Sequence, residues 1–136
     1  MEKEFIPYEQ ALELKELGYN QSDYLNWYNL KGELQWDSEY SESEFSKKCC
    51  SAPLYQQAFR WFREKYGWYQ TIDTYFDENN VLKEHGWHIY QDGNDRTENY
   101  LRMLDSSQKQ QVEDTYEEAE LVCIIKLIEI VKTKTT

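Results

Sequence analysis

Glycine is scarce in this chain, five in 136 residues, and never clustered. A loop that cradles phosphate, or the glycine fingerprint of a dinucleotide site, needs clustered glycines so that backbone can approach the ligand, and neither pattern is present. Histidine is scarcer, with His85 and His88 alone. Both sit at the start of an expected strand, where a spacing of three points side chains to opposite faces and makes them poor joint metal ligands. The plainer reading is a surface histidine beside Trp87. Cysteine occurs three times, as Cys49, Cys50 and Cys123. An odd count without paired spacing argues against a disulfide framework, and adjacent cysteines lack the reach of a Cys-x-x-Cys zinc hook. Long apolar runs are also missing: the longest, residues 121–125, is far too short to span a bilayer. The charged opening from Met1 to Glu4 is followed by no signal-peptide core, so the expected compartment is the cytoplasm.

Catalytic patterns are equally absent. A nucleophile paired with a base would need Cys49, Cys50, a serine or Tyr90 beside a histidine, and no elbow or catalytic-loop pattern supports such a pair. Carboxylate pairs such as Asp73 with Asp77 are available, but among 26 acidic residues they arise by coincidence. No enzyme activity, cofactor or metal is expected.

What the chain does have is aromatic residues and negative charge. Hydrophobic residues make up 40% and aromatics 16%, with 12 tyrosines and 5 tryptophans, so the chain folds despite a mean hydropathy of −0.94. Its length fits a single domain, residues 1–136, with one core. Tyrosine and tryptophan join an apolar body to a polar edge, which suits contact surfaces. A net charge of −11 repels nucleic acid and anionic membranes, so direct DNA binding is not expected. The acidity fits mimicry of nucleic acid towards a basic protein, although charge runs are commonly solvated faces.

The pattern along the chain predicts α+β structure: a small antiparallel sheet packed with about three helices, the last long and apolar. Residues 7–17 read as a helix opened near Pro7 and stopped by Gly18, and residues 23–36 as a hairpin around Gly32. Residues 37–48, rich in serine and glutamate, read as a surface connection. A second helix begins after Ser51, its N-cap candidate, and ends at Gly67. Strands are expected at 68–76 and 86–91, with turns at 77–80 and 92–95. Residues 99–104 suit either strand or helix, and 105–114 read as a loop. Thr115 and Glu118 form a capping box that starts the last helix. Between Ala119 and Val131 only Glu120, Lys126 and Glu129 are polar, so the helix must be covered nearly all round, and a homo-oligomer formed through it is expected.

The second helix carries the strongest binding signal, with aromatics and three cations on one element of an acidic chain. Tyr55, Phe59 and Trp68 can stack a base while Arg60, Arg63 and Lys65 hold phosphate. Aromatics at helical spacing also make core, and their arginines then reach solvent or pair with acids.

Three segments are distinctive: Phe5-Ile-Pro-Tyr-Glu-Gln-Ala-Leu-Glu-Leu-Lys-Glu-Leu-Gly18, Ala52-Pro-Leu-Tyr-Gln-Gln-Ala-Phe-Arg-Trp-Phe-Arg-Glu-Lys-Tyr-Gly67, and Thr115-Tyr-Glu-Glu-Ala-Glu-Leu121 continuing to Leu127-Ile-Glu-Ile-Val-Lys132. Together, over about a third of the chain, they resemble a family of uncharacterised small proteins encoded by phages and prophages of Bacteroidetes. The resemblance supplies no catalytic residues. It implies a counter-defence accessory protein acting in the host cytoplasm, of one of two kinds. One sequesters a nucleotide-derived immune signal between subunits without cleaving it; the other is an acidic inhibitor that binds a host defence protein directly.

Overall fold

A computed structural model describes residues 4–19, 26–35, 49–91, 103–105 and 113–135. The architecture is α+β, and the described residues form three helices and two three-stranded antiparallel sheets rather than the one sheet expected. The chain packs as two compact units, Met1–Ala58 and Phe59–Thr136.

In the first unit, α1 (Tyr8–Glu16) follows Pro7, which occupies the N-cap position. The helix ends where Gly18 takes a φ of 101° and lets Tyr19 N–H return to the Leu14 carbonyl at 2.9 Å. Strands β1 (Trp27–Tyr28), β2 (Leu34–Gln35) and β3 (Cys50–Ser51) pair in the order β2-β1-β3. The β1–β2 hairpin falls within the one expected, and among the described residues each of its strands is two residues long. Asn29 closes its turn by accepting from the amides of Lys31 and Glu33, each at 2.9 Å. Gly32 is required there: its φ is 76°, and an added Cβ would lie 2.8 Å from the Tyr8 ring. The Tyr28 hydroxyl donates to the Ile6 carbonyl at 2.6 Å, and Lys15 Nζ donates to the Cys49 carbonyl at 2.6 Å. Around these contacts Ile6, Leu14, Trp27, Cys49 and Cys50 are buried.

Helix α2 (Tyr55–Tyr66) begins four residues after Ser51, so Ser51 is not its cap. Ser51 lies in β3, and the side chain of Gln57 reaches back to accept the Leu54 amide at 2.9 Å. Gly67, at φ 70°, ends the helix as expected, with its N–H on the Arg63 carbonyl at 3.1 Å.

The second unit is a sheet of β4 (Trp68–Phe76), β5 (Leu82–Gln91) and β6 (Met103–Asp105) in the order β4-β5-β6, packed with α3 (Tyr116–Thr135). The β4–β5 turn is built by Asp77, whose carboxylate accepts the amides of Asn79 and Val81 at 2.8 and 2.9 Å, while Asn80 takes the left-handed φ of 61°. Strand β5 starts four residues before the expected Gly86, because this tight turn puts Leu82 opposite Phe76 at once. Of residues 99–104, the described pair Met103 and Leu104 is strand, and Asp105, assigned to a loop, continues it. Glu113, at the far end of that expected loop, bridges His85 through two backbone hydrogen bonds of 2.9 and 2.8 Å. The connection at 37–48 and the turn at 92–95 lie outside the described residues.

Helix α3 starts with the threonine half of the expected capping box, the Glu118 amide donating to Thr115 Oγ1 at 3.1 Å. Ala119, Cys123, Ile124, Leu127, Ile128 and Val131 are buried and, at 100° per residue, occupy about half of its circumference. The other half carries Glu118, Leu121, Val122, Ile125, Lys126 and Glu129, of which Ile125 is 39% exposed. No helix among the described residues is long and apolar enough to cross a membrane.

Candidate functional site

The six residues expected to bind ligand separate by burial. Tyr55, Phe59 and Trp68 are buried, whereas Arg60, Arg63 and Lys65 are exposed. Along α2, Tyr55 and Phe59 fall on the buried side and Arg60 and Arg63 project from the solvent side, whereas Lys65 lies on the flank of Trp61 and Trp68 belongs to β4. Arg60 is engaged by Glu64 one turn on, Nε to Oε1 at 2.9 Å, which raises its pKa. Lys65 lies over the Trp61 ring, 5.0 Å from its centroid, and over Tyr66 at 5.5 Å. Helix α2 thus exposes Arg60 and Arg63 away from its buried Tyr55 and Phe59 rings, while Lys65 rests on Trp61 and Tyr66.

A second set of residues converges on the sheet of the second unit. Along β4 and β5, side chains alternate between two faces. One face carries Trp68, Trp87, Ile89 and His85; the first three are buried, and His85 meets Tyr116 of α3 edge-on at 5.8 Å. His85 is buried too, its Nδ1 3.1 Å from Thr74 Oγ1. The expected surface location therefore fails for His85, because the strand turns it towards α3.

The other face carries Tyr69, Thr71, Asp73 and Tyr75 from β4, with Tyr90, His88, Gly86 and Glu84 opposite them in that order. His88 Nε2 lies 2.5 Å from Asp73 Oδ2, and the Tyr75 hydroxyl stands 3.5 Å from the same nitrogen. The imidazole of His88 stacks beside the Tyr90 ring at 6.2 Å and 21°. Tyr69 is 41% exposed, and Tyr75 and Tyr90 are half-buried. The two histidines thus stand on opposite faces, as their spacing requires.

The chemistry open to this face follows from which nitrogen is used. A nucleophile relay needs a carboxylate on one ring nitrogen and the nucleophile on the other. Here Asp73 and Tyr75 share Nε2, so Asp73 clamps the imidazole in place and the trio forms no relay. What remains is a row of flat rings beside a carboxylate, a surface on which a planar ligand can stack and be hydrogen-bonded. Among the described residues no group of three or more His, Cys, Asp or Glu side chains is placed to hold a metal ion. The alternation of Tyr69, Thr71, Asp73 and Tyr75 was visible in the sequence, but the pairing of Asp73 with His88 depends on strand register.

A third surface is the tip of the β4–β5 hairpin. Phe76 is 60% exposed, and Val81 and Leu82 are exposed beside it, next to Asp77 and Glu78 of the turn. No protein-family model, curated protein or solved structure matches the chain at a significant level.

Proposed function

We propose that the protein is a binding protein that captures a planar, nucleotide-type small molecule and holds it without cleaving it. The observation that carries this reading is the face of Tyr69, Tyr75, His88 and Tyr90, with Asp73 fixed among them. Rings in a row on a pleated surface stack a base by its π-face, and a carboxylate accepts from its exocyclic amino group. The cations Arg60, Arg63 and Lys65 provide counter-charge for phosphate in a chain that is otherwise strongly acidic. The clamp on His88 supports capture over turnover. In the setting implied by the resemblance to phage and prophage proteins, the cargo is a nucleotide-derived immune signal and the effect is counter-defence.

Native mass spectrometry on protein purified gently from cells with active nucleotide-signal defences tests this. The expected result is a small mass that denaturation releases unchanged. Tyr69→Ala with Tyr90→Ala removes it, and Arg60→Ala with Arg63→Ala weakens retention at least tenfold. A ligand-free protein that also fails to bind a nucleotide panel would overturn the reading. The second reading, an acidic inhibitor of a defence protein, is favoured by one observation: the apolar hairpin tip of Phe76, Val81 and Leu82 beside Asp77 and Glu78. It predicts capture of a basic protein, lost in Val81→Asp with Leu82→Asp.

A further inference from the structure

Strand β4 is nine residues long and ends the β4-β5-β6 order, so among the described residues no strand pairs with its outer edge. Exposed edges are usually blunted by proline, by lysine or by brevity. This one has neither proline nor lysine, a single charge at Asp73, and its register shift only at Tyr75/Phe76, by the hairpin tip. An edge of this length and composition is suited to receive another strand.

Its sequence also selects the strand it fits. Turned about a two-fold axis at Ile72, a second β4 sets Ile72 against Ile72, Thr71 against Asp73, Gln70 against Thr74 and Tyr69 against Tyr75. Every pair keeps like faces together, and the outer pair is aromatic on aromatic. Neither Asp73 stands directly opposite another carboxylate, and each is already engaged by its own His88. The ends match as well. Gly67, just after the α2 turn carrying Arg63 and Lys65, falls opposite Asp77 of the second copy, next to Glu78. The strand is cationic before one end and anionic after the other, which is complementary only in the antiparallel sense.

We propose that the protein forms a two-fold dimer by antiparallel pairing of β4 with β4, joining the two three-stranded sheets into one of six strands. The pairing is isologous and closes on itself, so it consumes the open edge without propagating. Both α3 helices then lie on one face of the joined sheet. On the other face, Tyr90 and Tyr69 of one copy continue into Tyr75 of the second, so the aromatic surface runs across the axis. This proposal rests on the edge and its charges and stands whether or not the face binds a nucleotide.

Light scattering after size-exclusion chromatography, paired with hydrogen exchange, tests it on the full chain. A dimer is expected at micromolar concentration. On dilution to monomer, alternate amides of β4 lose at least tenfold protection while those of β5 keep theirs. Tyr69→Lys places a charge at an exposed position of the edge and raises the dissociation constant at least tenfold. Lys65→Glu and Glu78→Lys each weaken the dimer, and the two together restore it; the restoration separates pairing from misfolding. A monomer up to about 100 μM, far weaker than ordinary specific association, would overturn the proposal. So would a dimer whose β4 exchange ignores dilution, because its interface would then lie elsewhere.

Discussion

At the residue scale, function and stability part company at the cysteines. Cys49, Cys50 and Cys123 are all buried. Burial pushes the Cys50 thiol up to about 12, with Lys15 pulling it down and Cys49 pushing it up. Cys123 is driven above its ordinary range by burial first and by Glu120 second. Because the thiolate is the reactive form, neither is a nucleophile at neutral pH. A thiol-specific disulfide reagent should therefore leave the native chain unlabelled for hours and modify all three thiols within minutes in urea. A native thiol that labels in minutes would place one of them at a reactive surface. The sequence reading had set these residues aside for want of a partner pattern; the structure supplies the physical reason, which is dry surroundings. His85 shows the opposite limit. Its spacing from His88 predicted opposite faces correctly, yet nothing in the spacing says which of the two faces meets α3.

At the element scale, strands were legible where local pattern and punctuation agreed. Strand β4 runs over the residues expected, between Gly67 and the turn built by Asp77. The beginning of β5 was hidden because Lys83, Glu84 and His85 carry no β-branched signal, and pairing decides it: Leu82, Glu84 and His85 stand opposite β4, and His85 also bridges Glu113. Helix α2 was ambiguous for another reason: a core and a stacking site ask for the same rings, and only burial tells Phe59 from a ligand contact. Helix α3 was expected to need cover nearly all round, and its own chain buries about half of it. That asymmetry sets a contrast. Leu127→Ala, at a fully buried position, should cost about 2–5 kcal/mol through the lost methyl groups and the cavity they leave. Ile125→Ala, on the less covered half, should stay within about 0.5 kcal/mol, as surface substitutions generally do. Urea unfolding of both variants checks the pair. A large loss at Ile125, dependent on protein concentration, would show that the outer half of α3 is covered by a second copy.

At the scale of the whole molecule, charge opposes both folding and association. The chain holds 26 acidic against 15 basic residues, and the ion pairs Arg60–Glu64 and Lys126–Glu129 join exposed or half-exposed groups one turn apart, which are worth only a few tenths of a kcal/mol. At a net charge of −11, self-repulsion acts across the whole molecule, and salt screens it. Glu113 shows the same strain locally: burial raises its pKa first, and the carboxylates of Glu118 and Asp114 raise it further. For an acid held above its ordinary value, the folded chain binds the proton more tightly than the unfolded chain does. Its contribution is then most favourable at low pH and declines as pH rises through the folded value. Raising salt from about 20 to 200 mM, which shortens the screening length from tens of ångströms to under ten, should raise the thermal midpoint at pH 8. The rise should be smaller near pH 5, where the net charge approaches zero towards the isoelectric point of 4.6. Dimerisation brings two chains of −11 together, so the same salt should also tighten it, even though the Arg63 and Lys65 contacts to Asp77 and Glu78 weaken. Calorimetry and light scattering over that salt range read the two effects separately. A dimer loosened by salt would mean that the local end contacts outweigh the charge of the whole.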